Sequence, residues 1–254
     1  MKRMNTQHSM VFIIRLVQKR RKANSNIQEA YIDVTAYFCN CFGYTTIKRR
    51  FFMGIAFKNS QTKVNLMKAF AGESQARNRY TIAAEEAREQ GMYAVREVFL
   101  FTAEQERAHA ERFYELLGSL SGETVDICGS FPIDKQDTLE GMLDAAQHNE
   151  YEEADDVYLA FAATAKEEGF MEVASAFLQI AEIEKIHGNR FGELSKMLKS
   201  GTYFENEEGE SWMCLNCGNI HTGKKLPGIC PVCRREKGYF IPLSMAPYKT
   251  KELN

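Results

Sequence analysis

No run in this sequence approaches the roughly 20 apolar residues that a membrane-spanning helix needs. The best N-terminal candidate, MVFIIRLV at 10–17, is interrupted by Arg15 and followed by QKRRK rather than by a small-residue cleavage site. A secretory leader is therefore a poor reading, and the expected location is cytoplasmic, with no membrane partner. Proline is scarce: between residues 62 and 200 only Pro132 occurs, so nothing there forbids long helices. A disulfide framework is lacking too. Of seven cysteines, four form two C-x-x-C pairs near the C-terminus, a metal-binding spacing, and Cys39, Cys41 and Cys128 read as free thiols. The total charge of −2 shows no excess of either sign, and no nucleic-acid partner is expected.

The charge is unevenly placed, however. Residues 1–52 hold ten Lys/Arg against Glu29 and Asp33, a sum of +8 that leaves −10 for the remainder. So sharp a break marks a segment boundary near Met53, itself a candidate alternative start. Residues 1–52 show no clear periodicity and are expected to lie outside the functional fold as a basic extension. A basic arm for nucleic acid or anionic lipid is the other reading.

What is present in quantity is helix. Residues 61–200 are rich in Ala, Glu, Leu, Lys, Gln, Arg and Met. Gly91 and Gly169 break long helical runs, and the loop at 118–138 divides the region in two. Four helices follow, at about 62–90, 92–118, 138–168 and 170–200. Two tight hairpins joined by one long crossover make a four-helix bundle. The hairpins are related. At an offset of 78 residues Tyr80 matches Tyr158, Gly91 matches Gly169 and Phe99 matches Phe177; Glu106, His109 and Phe113 match Glu184, His187 and Phe191. This implies an internal repeat and an approximate two-fold axis.

The repeat carries the chemistry. AEQERAHAERF (103–113) and AEIEKIHGNRF (181–191) each hold a Glu-x-x-His step, Glu106 with His109 and Glu184 with His187. Residues three apart share a helix face, so each pair addresses one point. Glu73 on the first helix and Glu150 on the third, offset by 77 residues, supply two more carboxylates. One Glu from each of two helices and Glu-x-x-His from the other two is the ligand set of ferritin-like di-metal bundles. Ionised carboxylates crowded into a core repel one another, and two divalent cations offset that repulsion. Oxygen donors with one imidazole per metal suit Fe or Mn, and Zn also accepts such ligands. Glu153, three residues after Glu150, is either a further carboxylate on that face or an exposed member of an acidic run. Tyr80 and Tyr158 either hydrogen-bond ligand carboxylates or are ordinary core aromatics.

Residues 201–210, acidic and Gly-flanked, read as a linker to a small domain at 211–254. That domain has too few apolar residues for a core of its own and needs a staple. Cys214-x-x-Cys217 and Cys230-x-x-Cys233 supply a tetrahedral site for Zn or a single Fe. The neighbouring di-metal site favours Fe, because an electron carrier there has a role.

From about residue 61 to the end the chain resembles rubrerythrins. AFAGESQARNRY, EQERAH, AKEEGF, EIEKIH and the CLNCG…CPVC pair carry the resemblance. It implies a mainly α fold, a ferritin-like four-helix bundle followed by a rubredoxin-like β domain. It further implies a carboxylate-bridged di-iron site of Glu73, Glu106, His109, Glu150, Glu153, Glu184 and His187. Glu106 and Glu184 would bridge, and one iron would move between His109 and Glu153 with oxidation state. Cys214, Cys217, Cys230 and Cys233 would bind a rubredoxin-type Fe. The implied activity is reduction of hydrogen peroxide to water in oxidative stress protection. Electrons would come from an electron-donor protein, a rubredoxin or an NAD(P)H-dependent reductase. The implied assembly is a homodimer or larger, with the FeS4 domain near a neighbour's di-iron site. An O2-using ferroxidase or oxidase, and a non-catalytic Zn-ribbon protein, are the alternatives. The chain departs from the family pattern in its basic N-terminal segment and in Arg234, where rubredoxins usually have Gly. A register with Gln147 in place of Glu150 is rejected, because the spacing forward to Gly169 and His187 keeps the family pattern.

Overall fold

The computed structural model describes residues 55–247, together with the backbone of three strands at 13–17, 30–40 and 43–53. The chain forms two compact units, Met1–Ser60 and Gln61–Asn254. In the first, β1 (Ile13–Val17), β2 (Ala30–Asn40) and β3 (Gly43–Met53) form an antiparallel sheet in that order. Asn40 lies opposite Gly43 across a two-residue connection. The strands are rich in β-branched and aromatic residues but do not alternate cleanly with polar ones, so their sequence carries no period-2 signal. The thiols expected at Cys39 and Cys41 fall outside the residues whose side chains are described. Cys128 is free and exposed.

The second unit contains α1 (Gln61–Glu89), α2 (Tyr93–Leu116), α3 (Leu139–Glu152), α4 (Tyr158–Glu167) and α5 (Met171–Ser200). Along α1 the buried positions Leu66, Ala69, Glu73, Ala76, Tyr80, Ala83 and Ala87 recur every three or four residues. That spacing makes one inward stripe, and its alanines let α2 approach closely. Gly91 and Gly169 end the first helix of each hairpin with φ of 72° and 89°, a conformation suited to glycine. Behind them Met92 N–H reaches Ala87 O at 2.8 Å, and Phe170 N–H reaches Ala165 O at 2.8 Å. Thr138 caps α3, its hydroxyl accepting from Gly141 N–H at 3.1 Å. Among the described residues no helix is long and apolar enough to cross a membrane.

The second hairpin also closes the first. Glu168, in the α4–α5 turn, accepts from Gln61 N–H (2.9 Å), Thr62 N–H (2.8 Å) and the Thr62 hydroxyl (2.6 Å). A carboxylate here satisfies the free donors at the start of α1 and opposes the positive end of its dipole. Glu168→Ala is expected to destabilise the unit by about 1–2 kcal/mol, measured by chemical denaturation. An unchanged midpoint would rule the cap out.

The third helix differs from expectation. It is continuous in direction but contains a π turn at Glu153–Val157, where Tyr158 N–H bonds to Glu153 O, five residues back. The π turn absorbs one extra residue. Glu73 and Tyr80 are seven residues apart, whereas Glu150 and Tyr158 are eight. The surplus residue is the slip from offset 78 to 77, and the wider turn brings Tyr158 back to the inner face.

The C-terminal module is an antiparallel sheet of β4 (Glu205–Cys214), β5 (Ile220–Lys225) and β6 (Phe240–Pro242), in the order β5-β4-β6. Residues 205–210, within the acidic stretch read as a linker, are the first half of β4. Trp212, Leu226 and Phe240 pack with Cys214 and Cys230 into a small core. Trp212 donates to Tyr203 O at 2.9 Å, and the Tyr203 hydroxyl donates to Phe240 O at 3.0 Å. The module docks on the α1–α2 turn: Tyr239 stacks on Tyr93 at 4.2 Å, and Tyr203, Ile241 and Ala246 join the apolar core of the bundle.

Candidate metal centres

Each Glu-x-x-His step sits mid-helix, so both its side chains project from one face into the bundle centre. His109 Nδ1 lies 2.9 Å from Glu184 Oε1, 3.5 Å from Glu106 Oε2 and 3.8 Å from Glu73 Oε2. His187 Nδ1 lies 2.9 Å from Glu106 Oε1, 2.9 Å from Glu184 Oε2 and 3.6 Å from Glu150 Oε2. Two donor groups result. One is Glu73, Glu106, His109 and Glu184; the other is Glu106, Glu150, Glu184 and His187. Glu106 and Glu184 belong to both, so each places one oxygen toward either point.

The outer carboxylates are held across the repeat. The Tyr158 hydroxyl donates to Glu73 Oε1 at 2.5 Å, and the Tyr80 hydroxyl donates to Glu150 Oε1. Each tyrosine thus orients the carboxylate of the other half. Around them two repeat-related aromatic trios, Tyr80–Phe99–Phe191 and Tyr158–Phe177–Phe113, close the core. Their rings exclude water and stiffen the ligand shell.

The donor atoms fit metal ions. Glu73 Oε2, Glu150 Oε2, both oxygens of Glu106 and Glu184, and Nδ1 of both histidines are buried without a hydrogen-bond partner. Leaving so many polar atoms unsatisfied is strongly unfavourable unless cations complete them. The electrostatics agree. Burial, then the charges of Glu184 and Glu106, push Glu73 well above the usual carboxylate range; burial and Glu106 do the same to Glu150. Burial pulls His187 down, but Glu106, Glu150 and Glu184 outweigh it and push the imidazole up to about 11.

Glu153 stands apart from these groups. It is half-buried, and its Oε1 lies 3.8 Å from where a Cβ would stand on Gly72. Burial, then the charges of Glu184 and Glu106, raise it to about 8. Six of the seven expected carboxylate and imidazole residues therefore converge, with Glu153 at their edge. Gln147 lies outside, with its amide in the space beside Gly192. Sequence reasoning did not find Gly72, since a single glycine in a helix has no distinguishing pattern.

In the module, Cys214 Sγ is 3.8 Å from Cys233 Sγ, and Cys217 Sγ is 3.8 Å from Cys230 Sγ. Four sulfurs at tetrahedral bond lengths of about 2.3 Å stand about 3.8 Å apart, so the quartet is already arranged for one ion. Burial raises the Cys214 thiol to about 12, while the Arg235 backbone N–H lowers Cys233 to about 6. The residue after each C-x-x-C is left-handed, Gly218 at φ 77° and Arg234 at φ 63°.

The Rubrerythrin family model matches residues 64–195 and 141–211, and the model for the rubrerythrin rubredoxin-like domain matches 212–241. Rubrerythrin-1 of Clostridium acetobutylicum is 46% identical over 189 residues, covering 74% of this chain and 96% of that protein. Rubrerythrin of Porphyromonas gingivalis is 43% identical over 198 residues, 78% and 98% of the two chains. Fully reduced nigerythrin, a solved structure, covers 73% of this chain and 91% of its own, with 27% identity and a TM-score of 0.49. The bundle is ferritin-like, with a di-iron carboxylate–histidine site, and the four cysteines form a rubredoxin-like centre. With a family model along the bundle, its companion over the cysteine module and such relatives matched over nearly their whole length, the chain belongs to the rubrerythrin family.

Proposed function

We propose that this protein is a peroxidase that reduces hydrogen peroxide to two molecules of water, consuming two electrons and two protons. The observation that carries the reading is Glu153, an extra carboxylate beside Gly72 at the edge of a six-residue di-iron site, in a unit that also holds four cysteine thiols. Residues 61–200 are assigned to peroxide chemistry, 201–204 to the connection, and 205–254 to electron entry, with 1–52 outside the reaction. When bound, two irons supply the electrons and Lewis acidity that O–O cleavage requires.

The chain's own residues set the conditions. Glu106 and Glu184 hold both metal positions together; Glu73 with His109, and Glu150 with His187, complete each one. Tyr158 and Tyr80 hold Glu73 and Glu150 in place by one oxygen each, leaving the other free to ligate. The aromatic trios keep water out. Glu153, beside Gly72 at the edge of the site, is the carboxyl assigned to pass a proton to a departing oxygen. Electrons arrive at Cys214, Cys217, Cys230 and Cys233 from an NAD(P)H-linked donor. The stacked Tyr93 stands thirteen residues along α2 from Glu106, about 20 Å. That span is long for electron tunnelling and supports delivery to a neighbouring subunit, hence a dimer or larger.

The test is NADH-driven peroxide consumption by iron-loaded protein with a reductase. Glu153→Ala and Cys214→Ser are each expected to slow turnover at least about tenfold, while Cys214→Ser also removes the visible band of the cysteine-bound iron. If both variants consume peroxide at the parent rate, or if O2 is turned over faster than peroxide, the reading fails.

A further inference from the structure

The cysteine module, residues 205–247, holds five Lys/Arg and five acids, whereas residues 53–204 hold fifteen Lys/Arg and twenty-six Asp/Glu. Four of the module's acids lie on the first half of β4, while Arg234, Arg235 and Lys237 follow the second cysteine pair. Its two C-x-x-C turns also differ. Glycine takes the left-handed conformation after the first; arginine takes it after the second, at a cost of about 1 kcal/mol or more. Among the described residues Arg234 is the only non-glycine with positive φ. Backbone geometry favours glycine at that position, so the side chain supplies the reason for arginine. It is exposed. Beside it, Ile229 and Val232 are 47% and 65% exposed. Arg235 lies over the Tyr239 ring at 5.6 Å and Lys237 over the Phe204 ring at 4.3 Å, which holds both cations in place. The module's ion pairs are Lys224–Glu207 and Lys225–Glu205; among the described residues Arg234, Arg235 and Lys237 form no ion pair, though Glu205 also feels the charge of Lys237. Glu236 turns its carboxylate toward Gly91. The outcome is an apolar patch with a basic rim at the second cysteine turn.

We propose that this face docks an acidic one-electron carrier protein, and that Arg234 is kept in a strained conformation to steer the carrier there. The inference rests on the reading of the cysteine centre as the point of electron entry. An acidic carrier is repelled by the bundle and attracted to the cations that follow the second cysteine pair, so the field sorts it to the thiolate centre and away from the carboxylate site. At contact the three cations lie within a Debye length of the carrier's acids, about 10 Å at 0.1 M salt.

The experiment mixes full-length, iron-loaded protein with reduced flavodoxin, an acidic one-electron carrier, and follows bleaching of the cysteine-bound iron by stopped flow. Arg234→Gly combined with Arg235→Gln and Lys237→Gln is expected to lower the second-order rate about tenfold at low salt and flatten its salt dependence. Arg234→Gly alone leaves the fold intact, because glycine suits that conformation, and is expected to show part of the loss. Reduced methyl viologen, a cation, should reduce the variants as fast as the parent or faster. Equal slowing with both donors would mean an altered potential and overturn the proposal. An unchanged flavodoxin rate overturns it as well. A shift in sedimentation of the triple variant would assign the face to a subunit contact and also overturn it. A colourless parent protein would instead defeat the electron-entry reading beneath it.

Discussion

Glu184→Ala is expected to strip both metals from the bundle at once, whereas Glu73→Ala is expected to remove one. Glu184 contributes Oε1 at 2.9 Å from His109 Nδ1 and Oε2 at 2.9 Å from His187 Nδ1, so it belongs to both donor groups. Glu73 belongs to the group of His109 alone. Metal analysis per chain reads the difference directly: two bundle irons in the parent, none in Glu184→Ala, one in Glu73→Ala. Helical circular dichroism of the metal-free proteins checks that the variant folds. Removing Glu184 takes away a carboxylate 2.9 Å from each buried imidazole, so the metal-free variant is expected to melt below the metal-free parent, and the metal-loaded parent well above both. Two irons retained in Glu184→Ala would mean that the carboxylate does not bridge.

Gly238→Ala is expected to undock the cysteine module. A Cβ on Gly238 would stand 1.7 Å from the Gly91 carbonyl oxygen and 2.9 Å from its carbon. Both are backbone atoms of a turn already fixed by its hydrogen bonds, so neither can give way. Relief requires the Tyr93–Tyr239 stack to open and Ile241 to leave the bundle core. The loss is about 3 kcal/mol or more, from overpacking and lost apolar burial together. In the parent, helical circular dichroism and the visible band of the cysteine-bound iron should melt together. In Gly238→Ala they should separate, and protease should cut between Ser200 and Glu205. Gly228→Ala, where nothing lies within 4 Å, is the control and should behave as the parent. A single shared transition in Gly238→Ala would sink the docking account.

Much of this was legible in the chain. The helix boundaries fell within a few residues, because glycine punctuation and capping are local. Glu106 with His109, and Glu184 with His187, were legible because three residues along a helix define a face. The repeat then paired the two halves without any structure. Even the one-residue slip between offsets 78 and 77 was visible, but its meaning was not. The period alone cannot say whether the surplus residue sits in a loop or a π turn; packing of Tyr158 onto Glu73 decides that. The strands before residue 54 went unread because their apolar residues do not alternate.

By itself, then, the sequence determined the four helices, the candidate donors of the two metal centres and the two cysteine pairs, since each depends on short-range spacing. Tertiary structure alone decided which partner each group meets. Tyr80 holds Glu150 and Tyr158 holds Glu73, Glu168 caps α1, and Gly238 touches Gly91. Those contacts join residues far apart in the chain. No short-range period encodes them, and only the packing of whole elements brings their atoms together.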